Sequence, residues 1–209
     1  MTQDKHKLRS ERLMCVLIIV AVLVVDQIIK VLVKTNMELG SSVKITNWFF
    51  ISFVENNGMA YGMTFINKLF LSILRLIAIG ALCWYVNKVI THPHRRLYVV
   101  LLSLITAGAA GNMLDSMFYG LIFSASSPYY VSYLVPFGHG YAGFLMGKVV
   151  DMFYFPLIVS HYPQWVPFVG GHPFVFFSPV FNFADACITV GVIAMLLFAR
   201  RDLEKNYIK

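Results

Sequence analysis

Apolar residues run through this chain in long blocks, and short polar stretches separate them. Four blocks, approximately 13–33, 69–86, 97–118 and 181–199, are long enough for a hydrocarbon core, which takes about 20 mainly apolar residues in a helix. They predict an all-α membrane protein of four spans in one membrane-embedded domain, with outer connections 34–68 and 119–180. The first block carries a basic leader (Lys5, Lys7, Arg9, Arg12), but its apolar core is long and no small-x-small site follows. It is therefore expected to stay as a span rather than be removed.

The connections have patterns of their own. Alternation from Val43 to Val54, with Trp48, Phe49, Phe50 and Phe53, predicts a strand or hairpin at the interface bounded by the turn signal Asn57-Gly58. The stretch 119–180 holds seven of the eight prolines and more than half of the aromatics, with only Lys148 and Asp151 as charges. Rings mixed with Pro and Gly suit the headgroup layer. This stretch is expected to be irregular or short-helical and to rest on the membrane surface as a mobile lid.

Composition strengthens the membrane reading. Of 209 residues, 58% are apolar and 13% charged, against roughly 25% charged in a soluble domain. Disorder is excluded by the many aromatics, and a disulfide scaffold by three cysteines set in apolar runs (Cys15, Cys83, Cys187). The net charge of +7 forms no stripe with interleaved aromatics, so no nucleic acid is expected as partner. Basic residues collect in the leader, in Lys88, Arg95 and Arg96, and in the tail, while the other connections are sparse in them. The positive-inside rule then places both termini in the cytoplasm. Trp48, Trp84 and Trp165 read as interfacial anchors. His139, His161 and His172 fit no metal spacing, and no cofactor signature is present.

Asp26, Asp115 and Asp185 lie within the apparent spans, and Asp151 lies just outside one. A buried charge there costs about 2.5–3.5 kcal/mol on insertion scales, so it needs a partner or a function. At about 1.5 Å of rise per residue, all four fall near one level toward the outer side. Asp26 has Lys30 one turn on, and Asp115 could cap a helix end; Asp151 and Asp185 have no comparable sequence partner. Two carboxylates brought together in a poor dielectric hold one proton between them, as in aspartic proteases. The same ingredients serve a proton relay or a cation site in a carrier. Composition and topology leave both readings open.

Five segments occur in order on these elements: Asp26-Gln27-Ile28-Ile29-Lys30, Asn56-Asn57-Gly58-Met59-Ala60-Tyr61-Gly62, Gly111-Asn112-Met113-Leu114-Asp115, Val149-Val150-Asp151-Met152-Phe153 and Phe181-Asn182-Phe183-Ala184-Asp185. In these segments the chain resembles the bacterial lipoprotein signal peptidase (signal peptidase II) family over essentially its whole length. The resemblance implies an aspartic endopeptidase of the bacterial cytoplasmic (inner) membrane, cutting diacylglyceryl-modified prolipoproteins on the amino side of the lipidated cysteine. It implies Asp151 and Asp185 as the catalytic pair, with no cofactor or metal. Asp26, Lys30, Asn56, Gly58, Gly108, Asn112, Asp115 and Asn182 are the expected supporting or substrate-binding residues. The small-residue face around Gly108 and Gly111 reads first as close helix packing. The resemblance also implies a small interfacial β platform over 40–65, a lid within 119–180, inhibition by globomycin-type cyclic peptides, contact with membrane lipids and a monomeric state. One departure stands out: the family's arginine after Asp115 is replaced by Ser116. Arg75, roughly 9 Å below the outer end of the second span, is the expected substitute cation. Lys148 is expected to stay at the interface.

Overall fold

The structure, a computed structural model, describes residues 2–57 and 67–205. The element order is α1 (Thr2–Asn36), β1 (Ser42–Lys44), β2 (Phe50–Asn56), α2 (Lys68–Ile90) and α3 (Arg96–Leu114). A π-helical turn, Asp115–Tyr119, carries α3 into the short α4 (Gly120–Ile122). Then come β3 (Val149–Tyr154), β4 (Ile158–His161), β5 (Pro173–Phe176), β6 (Val180–Phe181), α5 (Phe183–Phe198) and α6 (Arg200–Leu203).

Among the described residues, three helical stretches are long and apolar enough to cross a membrane: Lys5–Asn36, Lys68–Ile90 and Arg96–Ile122. The fourth expected span is apolar too, but its helix covers only Phe183–Phe198. It starts two residues later than the apolar pattern suggests, because Val180 and Phe181 are taken by a strand and Asn182 caps the helix. The third stretch is central: 61% of its apolar core is buried, against 22% and 11% in the first two. It packs against α1, α2 and α5. At Gly108 a Cβ would fall on the carbonyl oxygen of Ala184 and 2.7 Å from Ile188 Cγ1, so glycine is what lets α3 and α5 touch. One turn along, a Cβ at Gly111 would lie 2.8 Å from Asp26 Oδ2, which brings α1 against the same face.

One end of the bundle is closed by an apolar cluster that includes Cys15, Val89, Tyr98, Val99 and Met195. At the other end sits a four-stranded antiparallel sheet, ordered β1-β2-β3-β6. Phe53, Val150 and Met152 of this sheet pack with Val33, Tyr119 and Phe123. The alternating run does form a hairpin, but its turn lies between Lys44 and Phe50, closed by Phe49 O accepting from Ile45 N and Thr46 N (3.1 and 3.0 Å). Asn57 instead follows the end of β2, and Gly58 lies outside the described residues.

The stretch 119–180 is not the uniform irregular or short-helical segment its composition suggested. Its first few residues continue the third helix. The next part, to Lys148, folds back on α4: Ala142 N donates to Gly120 O (2.9 Å) and Gly147 N to Ser116 O (2.9 Å). A Cβ at Gly147 would strike the Asp115 carbonyl, so this loop crosses the π-helical turn at backbone contact. Its second half supplies four strands. Pro and Gly punctuate these strands closely enough to hide their period.

Candidate active site

Asp26 and Lys30 share one face of α1, one turn apart. The Lys30 ammonium is fully buried and lies 2.9 Å from Asp26 Oδ2, 2.8 Å from Asp115 Oδ2 and 2.9 Å from Asn112 Oδ1. An ammonium has three N–H donors, and each has its acceptor. Asp26 Oδ1 also accepts from Ala184 N (3.0 Å), one of the N–H groups a helix start leaves without an internal partner. The pairing of Asp26 with Lys30 is therefore as the spacing suggested.

Asp115 differs from expectation, because the helix does not end there. It opens the π-helical turn, whose extra residue rotates the following side chains relative to a regular α-helix. Its Oδ1 accepts from Gln27 Nε2 (2.8 Å) and its Oδ2 from Val150 N (3.3 Å), so it ties α1 to strand β3.

Above this ion cluster lies a layer of amides and the remaining two carboxylates. Asn182 is the N-cap of α5: its Oδ1 accepts from Asp185 N (2.9 Å), and Asp185 Oδ2 accepts in turn from Asn182 N (3.4 Å). The Asn182 Nδ2 donates to Asp151 Oδ1 (2.6 Å) and to Asn112 Oδ1 (3.0 Å). Asn112 Nδ2 donates to Asp185 Oδ1 (2.7 Å), and Asn56 Nδ2 donates to Asp151 Oδ2. Strand pairing explains the last contact, since β2 and β3 run antiparallel with Val54 opposite Asp151 and Asn56 opposite Val149. Asp151 is 3% exposed and its carboxyl is pushed up to about 7. Burial is the main cause and the charge of Asp185 the next, against which the Asn182 and Asn56 hydrogen bonds and the charge of Lys30 pull it down.

Eight of the expected residues thus form one connected polar network: Asp26, Lys30, Asn56, Asn112, Asp115, Asp151, Asn182 and Asp185. Gly108 stands one turn below Asn112 at the α3–α5 contact and lies outside this network. Arg75 faces the cluster from α2, with Asp185, Asp151 and Asp115 as the carboxylates acting on it, in that order. Beside Ser116 itself, however, stands Lys68, whose Nζ donates to Ser116 Oγ (3.1 Å) and Asn57 O (3.0 Å). Lys148 leans on Glu55 Oε2 (3.6 Å) and the Tyr141 ring.

Several partners escaped the sequence reading. Gln27 donates to both Asp26 and Asp115 and accepts from Tyr119 Oη (3.0 Å); an amide next to a span aspartate was the available signal. A second buried ion pair, Lys34 with Glu55, is bridged by Ser126 Oγ, 2.8 Å from each. The rings of Phe53, Phe123 and Tyr141 surround the Lys34 ammonium at 5.1–6.0 Å. Nothing local in the sequence relates residues 34, 55 and 126. Burial also pushes the Tyr141 phenol up, so it stays a neutral donor or acceptor beside them.

Residues 18–200 match a family model described as Signal peptidase (SPase) II. A lipoprotein signal peptidase of Porphyromonas gingivalis is 51% identical over 181 residues, 86% of this chain and 80% of that protein. One from Amoebophilus asiaticus is 34% identical over 189 residues, 87% and 75% respectively. Two solved structures described as bacterial membrane enzymes share the fold, with TM-scores of 0.60 and 0.58 at 24% identity. The first covers 94% of this chain and 93% of its own. With the family model matching most of its length and a relative at half identity, the chain belongs to the signal peptidase II family.

Proposed function

We propose that this protein removes signal peptides from diacylglyceryl-modified prolipoproteins on the amino side of the lipidated cysteine, with Asp151 and Asp185 as the catalytic pair. The carrying observation is that one amide, Asn182, donates to Asp151 and pairs reciprocally with Asp185, while Asn112 holds the other side of Asp185. In that setting the two carboxyls share one proton. The ionised member takes a proton from water as its oxygen attacks the peptide carbonyl, and the protonated member polarises that carbonyl. Breakdown of the tetrahedral intermediate then returns a proton to the leaving amine.

Below the pair, Lys30, Asp26, Asp115 and Asn112 hold geometry rather than perform chemistry. Arg75 offsets the negative charge of the pair, and Lys68 occupies the place beside Ser116 where the family carries its arginine. In this reading α5 completes a fourth span, with both ends of the chain in the cytoplasm of a bacterium and the pair at the outer face of the inner membrane. Surrounding lipids solvate the bundle, the protein acts as a monomer, and globomycin-type cyclic peptides compete for the cleft.

Cleavage of a lipidated prolipoprotein by Asp151→Asn and Asp185→Asn tests the reading. Asn keeps the size of Asp and cannot accept the proton, so each variant should insert, fold and lose turnover. Substantial turnover by either folded variant refutes it.

A further inference from the structure

From Met152 to Ala184 the chain carries no Asp, Glu, Lys or Arg. Out of this neutral tract stands a hairpin, β4 paired with β5 from Ile158↔Phe176 to His161↔Pro173. All of β4 is exposed, as are both ends of β5. At the tip Trp165 is 81% exposed and Phe168 100% exposed. The tip is nonetheless well built: Gly170 N donates to Val166 O (3.0 Å), Gly171 N to Tyr162 O (2.9 Å) and Tyr162 N to His172 O (2.9 Å). Within it Phe168 adopts a φ of +67°, a left-handed backbone conformation that is strained for a bulky residue. The ring it presents is fully exposed, so packing within the described chain does not offset that strain.

The surroundings of the hairpin say what covers it. Its legs rise from a ring cluster in which Phe155 stacks on Phe49 (4.7 Å) and Phe181 (5.7 Å), with Phe177 edge-on to Phe181 (6.0 Å). Phe181 stands two residues before α5, at the rim of an apolar helix whose Val190, Ile193 and Leu197 face outward. The seven residue steps from Phe176 to Phe183 span at most ~25 Å, so the strands cannot stray far from that rim. A neutral surface of Trp, Tyr, Phe, Pro and His suits the headgroup region, where rings are half wet. The hairpin edges carry unpaired N–H and C=O groups, which forbid the hydrocarbon core but are satisfied at the interface.

We propose that the β4–β5 hairpin docks into the phospholipid headgroup layer on the side of the carboxylate cluster, with Trp165 and Phe168 reaching the first methylenes of the acyl chains. The occupant is lipid rather than a protein partner, because the apolar surface continues into the outward face of the bundle and offers no charge for pairing.

Trp165 is its own reporter once Trp48→Phe and Trp84→Phe remove the other tryptophans. The full chain is reconstituted into phosphatidylethanolamine–phosphatidylglycerol vesicles whose acyl chains are brominated near the glycerol end or near the methyl end. Shallow bromines should remove most of the Trp165 emission, deep bromines should leave it, and aqueous iodide should quench it weakly. Adding Phe168→Asp, with thermal melting as the fold control, should shift quenching from bromine to iodide. Strong iodide quenching with no bromine effect would put the tip in water and overturn the proposal. Protection from both quenchers would mean coverage by protein, a second copy included, and would overturn it equally. Bromine quenching unchanged by Phe168→Asp would remove Phe168 from the contact. The readout is position, not cleavage, so its failure leaves the peptidase reading standing.

Discussion

Replacing Lys30 with methionine keeps most of its volume and removes its charge. Two carboxylates then face each other, since Asp26 and Asp115 each lie within 2.9 Å of the same nitrogen. Their nearer oxygens are therefore at most about 5.7 Å apart, and at an effective dielectric near 20 their repulsion is at least about 3 kcal/mol. Removing one partner of a buried pair costs about 3–5 kcal/mol by itself, because an uncompensated charge stays behind. Proton uptake by one carboxyl relieves part of both terms, which leaves about 4 kcal/mol at neutral pH. For a chain of this size each kcal/mol lowers Tm by about 2–4 °C, so Lys30→Met should melt about 10 °C below the parent. Intrinsic-fluorescence melting in detergent measures this. Adding Asp115→Asn to Lys30→Met should recover roughly half of the loss, as a double-mutant cycle on a coupled pair requires. A Tm within about 2 °C of the parent, with no response to Asp115→Asn, would show that Lys30 does not neutralise this cluster.

Four further outcomes follow from the geometry and its electrostatics. Burial and the neighbouring charge of Asp185 push the Asp151 carboxyl up to about 7, so kcat/KM for a lipidated substrate should fall about tenfold per pH unit above that point; a flat alkaline limb to about pH 9 contradicts it. The same raised value means native Asp151 keeps a proton that the unfolded chain releases, so stability should decline as pH rises from about 4 to about 7 in urea titrations. Gly108→Ala drives a methyl into the Ala184 carbonyl and should cost about 1–3 kcal/mol in thermal melts, with Gly80→Ala, which meets open space, as the neutral comparison. Asn182→Ala removes the cap of α5 and the bridge between the carboxyls together; kcat should fall at least about a hundredfold while stability drops by about 1 kcal/mol, and a variant with normal kcat would separate the two roles.

The first three spans and the acids were the legible part of the sequence, for a physical reason. A charge in a long apolar block is conspicuous because it is costly there, and Asp26 with Lys30 announces a partner by helical spacing alone. Asp115 was visible as an acid but not as the start of a π-helical turn, because the inserted residue changes no local pattern. Asp151 sits in a strand whose neighbours Val149, Val150, Met152 and Phe153 are apolar on both faces, so no alternation marked it. Strand β3 exists because β2 and β6 pair with it from either side, which is a long-range fact. Lys34, Glu55 and Ser126 are likewise brought together only once the sheet lies across the end of α1. Nothing in the local sequence marks Lys68, and only the fold lays it beside Ser116.

The first turn of α5 has an unusual duty. Helix ends normally fray and rewind without consequence, since their outer hydrogen bonds are the weakest in the element. Here the capping side chain also holds a carboxyl of the pair, Asp185 belongs to the same turn, and Asp26 grips the backbone at Ala184. Unwinding that turn would therefore pull Asp185 and Asn182 away from Asp151 and Asp26 together. With Asp151 and Asp185 as the proposed catalytic pair, the arrangement would work as an interlock: a loosened helix end would be an inactive one.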